Sequence, residues 1–226
     1  RAGAVVETHI NLKLLDAIAE PLSGSGRAAD LPPLGQTIAV AHDAAFAFVY
    51  PHMLTGWHKA GASIRLFSPL ADEPVPADAD AVFLPGGYPE LHGATLSAAS
   101  SFFQSLDTAR DRSALVYGEC GGFMVLGETL TDRDGVTHRM AGLLPVHSRI
   151  DRPRRVLGYR QLTHASALPW PAPLNGHEFH YSSAEPTDMP ALFDATDAAG
   201  EPLPAMGAQI GRVMGSYAHV ICEAVG

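Results

Sequence analysis

The chain has 226 residues, of which 46% are hydrophobic, and its formal net charge is −9 at pH 7. This length is enough to bury one sizeable core, with a short segment left over at one end. The acidic balance argues against a protein that binds nucleic acid or an anionic membrane surface, and no apolar run reaches the length of a transmembrane helix.

Cysteine usage and the amino terminus set two further expectations. Cys120 and Cys222 are the only cysteines and lack the spacing of a disulfide framework, which favours free thiols in a cytoplasmic protein. The first residues, RAGAVVETHINLK, lack the apolar region of a signal peptide. Because residue 1 is Arg and not Met, the sequence is expected to be part of a longer protein.

The first 36 residues are predicted to form a unit apart from the rest. Residues 5–22 favour a short helix that ends at Pro21, and residues 23–36 form a linker rich in Gly, Pro and Ser. Residues 37–226 are predicted to form one domain.

From residue 37 onward, short apolar runs alternate with segments of helix length. Strands are predicted at 37–43, 63–70, 79–84 and 114–117. Helices are predicted at 48–60, from Pro89, at 96–109 and after residue 120. Beyond Met140 the pieces are shorter and strand-like, and would extend the same sheet or pair antiparallel at its edge. The pattern predicts an α/β fold: an open, mostly parallel, flavodoxin-like sheet with helices on both faces.

The stretch VYGECGGFMVLG, residues 116–127, places a cysteine between glycines where an apolar strand meets a helix. Gly118 and Gly122 stand two residues before and after Cys120, which is the pattern of a nucleophile elbow with sulfur in place of oxygen. Such a turn is strained and needs small neighbours, and the positive end of the following helix favours the thiolate. Cys120 is therefore the predicted nucleophile, with a lowered thiol pKa.

A cysteine nucleophile needs a base, and the chain has 11 histidines. His219 is preferred because it ends a strand-like run after Gly215 and Ser216, and active residues gather beyond the carboxyl ends of parallel strands. His177 and His180, in GHEFHYS, are the alternatives, with Glu178 between them. Their separation of three residues in a strand predicts that they point to opposite faces. Their expected role, with Glu178, is to shape the pocket or a domain contact.

The oxyanion formed in such a reaction needs backbone donors. The amide of Gly121, directly after the nucleophile, is one candidate. The glycine pair Gly86 and Gly87, at the end of the preceding predicted strand, is the other, and an ordinary tight turn is the alternative interpretation of that pair.

Four motifs taken together, GECGGFMVLG, LPGGYPELH, GHEFHYS and GSYAHV, resemble the class I glutamine amidotransferase domain of cobyrinic acid a,c-diamide synthases, also called hydrogenobyrinic acid a,c-diamide synthases. The likeness extends from about residue 37 to the carboxyl terminus. It implies a glutaminase in which the thiolate of Cys120 attacks the side-chain amide of glutamine and releases ammonia. A water activated by His219 would then hydrolyse the γ-glutamyl thioester.

The resemblance also implies a partner domain. In this family a preceding synthetase domain uses ATP and magnesium to amidate the a and c carboxylates of the corrinoid. The phosphate-binding pattern G-x-x-x-x-G-K-[ST] is missing from this sequence. Residues 1–36 are therefore interpreted as the tail of that synthetase domain plus the linker, and residues 37–226 as the glutaminase domain. No cofactor and no metal site are expected within the glutaminase domain itself.

One departure from the class I pattern concerns the base. Those enzymes usually carry a glutamate two residues after the histidine, and here that position is Ile221, while Glu223 has the wrong parity for a strand. A Cys120–His219 dyad is therefore expected, with the imidazole oriented from elsewhere. The glutaminase of cobyric acid synthase, a γ-glutamyl hydrolase and a non-catalytic glutaminase-like binding domain remain alternatives.

Two further features have weaker assignments. Five arginines stand within twelve positions, at 149, 152, 154, 155 and 160. They fit either a solvated loop or a surface that faces the synthetase domain or the polycarboxylate corrinoid. Cys222 lacks glycine neighbours and is expected to pack in the core, and a homodimer is an arrangement that the sequence leaves open.

Overall fold

The computed structural model describes residues 2–19, 30–184 and 188–224. Within these ranges the helices are α1 (Ala2–His9), α2 (Leu12–Ile18), α3 (Pro51–Lys59), α4 (Gly93–Ser97), α5 (Ser100–Asp111) and α6 (Gly121–Leu126). The strands are β1 (Thr37–Ala41), β2 (Ser63–Phe67), β3 (Ala81–Leu84), β4 (Leu115–Glu119), β5 (Thr129–Thr131), β6 (Thr137–Arg139), β7 (His147–Arg149), β8 (Val156–Thr163), β9 (Leu174–His180), β10 (Ser183–Ala184), β11 (Phe193–Thr196), β12 (Pro202–Met206), β13 (Ala208–Ile210), β14 (Val213–Ser216) and β15 (His219–Glu223).

A six-stranded sheet forms the centre of the molecule, with the strand order β13-β14-β4-β3-β1-β2. Five of the strands run parallel, namely β14, β4, β3, β1 and β2. The sixth, β13, pairs antiparallel with β14 at one edge. Every residue of β3 and of β4 is buried, as expected for strands covered on both faces. The predicted open, mostly parallel sheet is confirmed.

Two hydrophobic cores lie on opposite faces of this sheet, and the side chains of successive residues alternate between them. Val82 faces the core that contains α4, α5 and α6, whereas Phe83 faces the other core. That second core contains Met53 and Trp57 of α3. It also contains residues of a second sheet, including Phe193, so helices alone do not cover this face.

The segment after Met140 differs from its prediction. Only β13 and β14 join the central sheet. Of the other pieces, β7 and β10 join β5 and β6 in a four-stranded sheet, β10-β7-β5-β6, and the rest form a five-stranded sheet, β12-β11-β8-β9-β15. The five-stranded sheet is antiparallel and packs its apolar side chains, among them Leu162 and Leu174, against the central sheet. Burial alternates along β9, so one face of the strand is apolar and must be covered by another layer of the protein. Pairing at the edge of the central sheet would not cover that face.

Two predicted helices near the candidate site have different bounds. The first begins at Pro51 and not at residue 48, because Phe48 instead pairs with Gly86 in an isolated β-bridge. The helix predicted at 96–109 is divided: α4 ends at Ser97 and α5 begins at Ser100, while the segment from Pro89 forms a single 3₁₀ turn.

The amino-terminal region is also divided. The single helix predicted over 5–22 is observed as α1 and α2, and the side chain of Asn11 accepts a hydrogen bond from the N–H of Leu14 to cap the second. Pro21 and residues 23–29 of the predicted linker lie outside the described residues. The rest of that linker is packed, since Leu31 and Leu34 are buried in the second core. None of the helices in the described ranges is long and apolar enough to cross a membrane.

Candidate active site

Cys120 lies at the junction of β4 and α6, in a strained backbone conformation. Its φ is +47° and its ψ is −104°, a region that residues with a side chain rarely adopt. Its N–H donates a hydrogen bond of 2.8 Å to the carbonyl of Ser216 at the end of β14. The flanking glycines are packed tightly: a Cβ on Gly122 would overlap the carbonyl oxygen of Leu84, and one on Gly118 would lie 2.8 Å from a side-chain carbon of α6. The strained turn predicted for an elbow is confirmed.

The thiol of Cys120 is held in its protonated form. Cys120 is only 5% exposed, and this burial raises the pKa of its thiol to about 12. The N–H of Gly121 donates to the sulfur and lowers the pKa, while the acidic groups of Glu90, Glu119 and Glu178 raise it further. The prediction of a lowered thiol pKa is therefore wrong for the chain on its own. One amide of a six-residue helix does not offset burial beside three acidic groups.

The loop that follows β3 lies directly against the elbow. The amide nitrogen of Gly87 is 3.0 Å from the position that a Cβ on Gly121 would occupy, and a Cβ on Gly86 would collide with the imidazole of His219. The N–H of Phe48 donates to the carbonyl of Gly86 at 2.9 Å and so ties this loop in place. The structure thus brings the three predicted oxyanion glycines together beside the nucleophile and the base. Their role as donors stays a prediction.

His219 begins β15, and so does not end a strand as the sequence suggested. It still lies beyond the carboxyl end of β14, three residues after Ser216, and it is 3% exposed. Burial, with smaller effects from the nearby His177 and His180, lowers the pKa of its imidazole to about 4. The imidazole is therefore neutral near pH 7 and able to accept a proton.

His180 has both ring nitrogens engaged. Nδ1 lies 2.8 Å from the carbonyl oxygen of Ser182, and Nε2 lies 3.3 Å from a carboxylate oxygen of Glu178. The ring also stacks on Tyr217, with centroids 4.1 Å apart. Because both ring nitrogens contact an oxygen of another group, the imidazole of His180 is engaged within this network.

His177 lies on the other face of β9 and is engaged by a different partner. Its Nε2 is hydrogen-bonded to the hydroxyl of Tyr50. Its ring stacks on that of His219, with centroids 4.9 Å apart and planes 6° from parallel. No hydrogen bond reaches the imidazole of His219 in the part of the chain that the structure describes. Of the three candidate imidazoles, that of His219 is the one available as a base.

Glu178 lies on the buried side of β9, in a charged network. Nε of Arg160 donates to it at 2.6 Å, and both side chains are 10% exposed. These contacts and the one to His180 oppose burial and lower the pKa of the carboxyl. The predicted opposite orientation of His177 and His180 is confirmed, because burial alternates along the strand. The role of Glu178 in shaping the pocket stays a prediction.

Two neighbouring cavities meet at this site. One, of about 240 Å³, is lined by Cys120, Glu90 and His180 among others. The second, of about 310 Å³, is lined by Tyr50, His177 and His219 among others. Phe48 and Phe179 contribute to both cavities. The nucleophile and the preferred base thus border adjoining spaces with a shared aromatic wall.

The sequence interpretation missed Glu119, the residue directly before the nucleophile. It is 1% exposed, and one of its carboxyl oxygens lies 3.8 Å from Nδ1 of His219. The other oxygen accepts hydrogen bonds of 3.0 Å from the N–H of Val220 and from the hydroxyl of Tyr117. A charged residue inside an otherwise apolar strand was the available signal, because a buried carboxyl group is rare without a partner.

The class I glutamate position does not supply such a group. The side chain at 221 is that of isoleucine, and its backbone carbonyl lies 2.9 Å from Nε2 of His52. Glu223 is partly exposed near the end of β15. The arginine cluster is likewise not a single surface, since Arg149 pairs with Asp151 and Arg160 with Glu178, while the other three are exposed.

Comparison with known proteins agrees with this geometry. Residues 37–225 match the model of the CobB/CobQ-like glutamine amidotransferase domain. The chain belongs to this family. Hydrogenobyrinate a,c-diamide synthase of Brucella abortus is 49% identical over 98% of this chain and 52% of that protein. The enzyme of the same name from Rhodobacter capsulatus is 47% identical over 96% of this chain and 50% of that protein.

This family member spans about half the length of the curated relatives that it matches. Among solved structures, a glutamine amidotransferase from Thermotoga maritima superposes with a TM-score of 0.54 over 84% of this chain and 76% of that one. At 15% identity this likeness concerns the fold alone, and it confirms the predicted fold class.

Proposed function

We propose that this chain is a glutaminase that hydrolyses the side-chain amide of glutamine through a cysteine thioester. The observation that carries the proposal is the strained backbone of Cys120, at a strand–helix junction, with the N–H of Gly121 directed at its sulfur. A neutral, buried histidine lies on the adjoining strand end. Membership of a glutamine amidotransferase domain family supports the choice of glutamine as substrate.

The reaction begins from an uncharged pair. The imidazole of His219 takes the proton from the thiol as the sulfur of Cys120 bonds to the amide carbon of glutamine. The oxyanion of the tetrahedral intermediate is stabilised by the amides of Gly121 and Gly87. The imidazolium then returns its proton to the amide nitrogen, which leaves as ammonia. A water that His219 deprotonates next hydrolyses the thioester to glutamate and restores the thiol.

The ammonia is proposed to serve amidation of a corrinoid. Relatives that are named hydrogenobyrinate a,c-diamide synthase are about twice as long as the matched region, which leaves room for a separate synthetase domain. That domain would bind ATP and magnesium and amidate the a and c carboxylates of cobyrinic or hydrogenobyrinic acid. In this arrangement residues 1–36 connect the two domains. Both cysteines are free, which favours work in the cytoplasm.

Glutamate release from glutamine tests the glutaminase. The wild-type chain should release glutamate and ammonia in equal amounts, whereas Cys120→Ala should release neither. His219→Asn should stop turnover, because the imidazoles of His177 and His180 are hydrogen-bonded to other groups. His177→Asn is the matched control on the stacked partner ring and should retain substantial hydrolysis. Loss of activity in His177→Asn with retention in His219→Asn would reassign the base.

A further inference from the structure

We propose that Glu119 is the positioning carboxylate of His219, an inference that rests on the proposed glutaminase function. In place of a glutamate two residues beyond the histidine, the group comes from β4, the strand that carries the nucleophile. Its carboxyl oxygen Oε2 lies 3.8 Å from Nδ1 of His219. The same backbone segment therefore presents both the nucleophile and the group that orients its base.

Two hydrogen bonds hold Glu119 in this orientation. Its Oε1 accepts the N–H of Val220 and the hydroxyl of Tyr117, each at 3.0 Å. Val220 follows His219 in β15, so one carboxyl group contacts both the backbone and the side chain of the strand that carries the base. With Oε1 occupied, Oε2 is left to face the imidazole. A small shift of the ring during catalysis would bring Nδ1–H within hydrogen-bond distance.

The electrostatic role appears when the thiol proton moves. Transfer of this proton to Nε2 of His219 creates an imidazolium whose Nδ1–H faces Oε2 of Glu119. A carboxylate there stabilises that cation and keeps Nε2 directed at the sulfur. At 1% exposure Glu119 is shielded from water, so its charge is weakly screened.

The protonation state of Glu119 gives the proposal a distinctive pH dependence. Burial raises the pKa of its carboxyl to about 8. Its charged form, and with it the positioning effect, should therefore develop as the pH rises through about 8. The groups around the pair do not titrate there: the pKa values of Tyr50 and Cys120 are raised to about 12, and that of Tyr117 lies well above its usual value.

The remaining neighbours titrate on the acidic side. The pKa of His177 is lowered by burial, and that of His219 lies at about 4. On the other side of Cys120, the pKa of the Glu178 carboxyl is lowered by its contacts with His180 and Arg160. Burial also raises the pKa of the Glu90 carboxyl beside Cys120, so the loss of the change near pH 8 in a Glu119 variant is what attributes it to Glu119.

The test compares Glu119→Gln with the wild-type chain in a profile of kcat/KM for glutamine against pH. Glutamine can still accept both hydrogen bonds but carries no charge. The wild-type kcat/KM should rise through about pH 8, while that of the variant should stay flat, so that the variant is about 100-fold slower near pH 9 and within about threefold near pH 6. A structural defect would lower activity equally at both pH values, and such a parallel loss, or no loss, overturns the proposal.

Two further measurements keep the test decisive. Tyr117→Phe removes a donor that lowers the pKa of Glu119 but keeps the carboxyl, so it should retain the rise and displace it to a higher pH. The ¹⁵N spectrum of His219 near pH 9 should show Nδ1 protonated in the wild type and a tautomer mixture in Glu119→Gln. Identical tautomers would overturn the positioning role. If the tautomers differ between the wild type and Glu119→Gln but the wild-type chain releases no glutamate, the glutaminase function is contradicted. The contact between Glu119 and His219 is then still established.

Discussion

The chemistry of Cys120 reflects two opposing features of its surroundings. The elbow presents the sulfur to the amide of Gly121, but the buried position beside acidic groups keeps it protonated. The intrinsic reactivity of this thiol is therefore low, and its reactivity toward a substrate depends on binding and on proton transfer to His219. Cys222 is partly exposed and lacks this confinement.

Two reagents should therefore modify different cysteines near neutral pH. A glutamine-like diazo-ketone should label Cys120, because binding places its electrophile at the sulfur beside the base. Iodoacetamide, which has no such recognition, should label Cys222 faster. Mass spectrometry of the modified peptides distinguishes the two, and excess glutamine should protect Cys120 only. Labelling of Cys222 alone by both reagents would contradict the assignment of the nucleophile.

Burial of His219 predicts a loss of stability in acid. Its pKa falls from 6.5 to about 4 on folding, so the neutral form is favoured in the folded state. The resulting stabilisation is present above pH 6.5 and is lost as the pH falls toward 4, by on the order of 3 kcal/mol. His219→Asn should lack this component of the acid-induced decrease in the free energy of unfolding, measured by denaturant titration at both pH values.

The wild type must be compared with His219→Asn, because Glu119 changes the free energy of unfolding with pH in the opposite direction. Its raised pKa stabilises the fold at low pH and ceases to do so as the pH rises from 4.5 to about 8. The wild-type curve contains both contributions, whereas the difference from His219→Asn isolates the histidine. Parallel curves for the two proteins would show that His219 does not stay neutral in the folded chain.

At the scale of elements, the close packing of α6 against β3 sets the position of the nucleophile. Gly122, in the first turn of α6, leaves no space between that helix and the backbone of Leu84. A side chain at this position must push the helix away from the sheet, and the turn at Cys120 moves with it. The elbow therefore depends on contact between two elements as well as on local turn geometry.

Gly122→Ala should accordingly destabilise the protein by about 3 kcal/mol or more and abolish labelling of Cys120 by the diazo-ketone. Gly56→Ala in α3 is the matched control. A Cβ added at Gly56 would lie no closer than 3.6 Å to another residue. Gly56→Ala should therefore stabilise the folded protein by roughly 0.5–1 kcal/mol, as expected inside a helix. Thermal and denaturant unfolding measure the stability of both variants relative to the wild type. Equal stabilities for the two variants would contradict the packing argument.

At the scale of the whole molecule, the site forms where two sheets meet. The central sheet supplies Cys120 and Glu119 from the carboxyl end of β4. The five-stranded sheet lies over one face and supplies His177, His180 and His219 from β9 and β15. The resting site holds a protonated thiol and a neutral base, and the loop with Gly86 and Gly87, the predicted oxyanion donors, lies beside them. An adjoining domain that reorders this loop would control the rate.

A synthetase domain added in trans should therefore raise glutamine hydrolysis by this chain. Loss of a single oxyanion donor costs about 3 kcal/mol, so completion of the site should increase turnover by about 100-fold. The amino-terminal half of the Brucella abortus relative is a suitable partner, and glutamate release is the measurement. Cys120→Ala with the same partner is the control and should stay inactive. Equal turnover with and without the partner would contradict this coupling.

Local signals in the sequence predicted much of the site. Glycine spacing around Cys120 indicated a turn that small residues allow, and apolar runs of strand length indicated the parallel sheet. His219 was placed near the nucleophile because the carboxyl ends of parallel strands meet at one edge of a sheet. Each of these inferences depends on residues close together in the chain, where spacing alone restricts the geometry.

The tertiary structure decided the features that depend on distant residues. Pairing of β9 with β15 and their packing over the central sheet determined which imidazole makes no hydrogen bond to another described residue, and no local pattern encodes that long-range contact. Burial determined the pKa of Cys120, against the sign that its helix alone would favour. Glu119 and His219 are 100 residues apart in sequence and become neighbours only when β4 and β15 are placed. By itself, then, the sequence determined the fold class and predicted the nucleophile and its chemistry, while the folded chain decided the charge state of the thiol and which groups lie beside the base, because these follow from solvent exclusion and proximity in space.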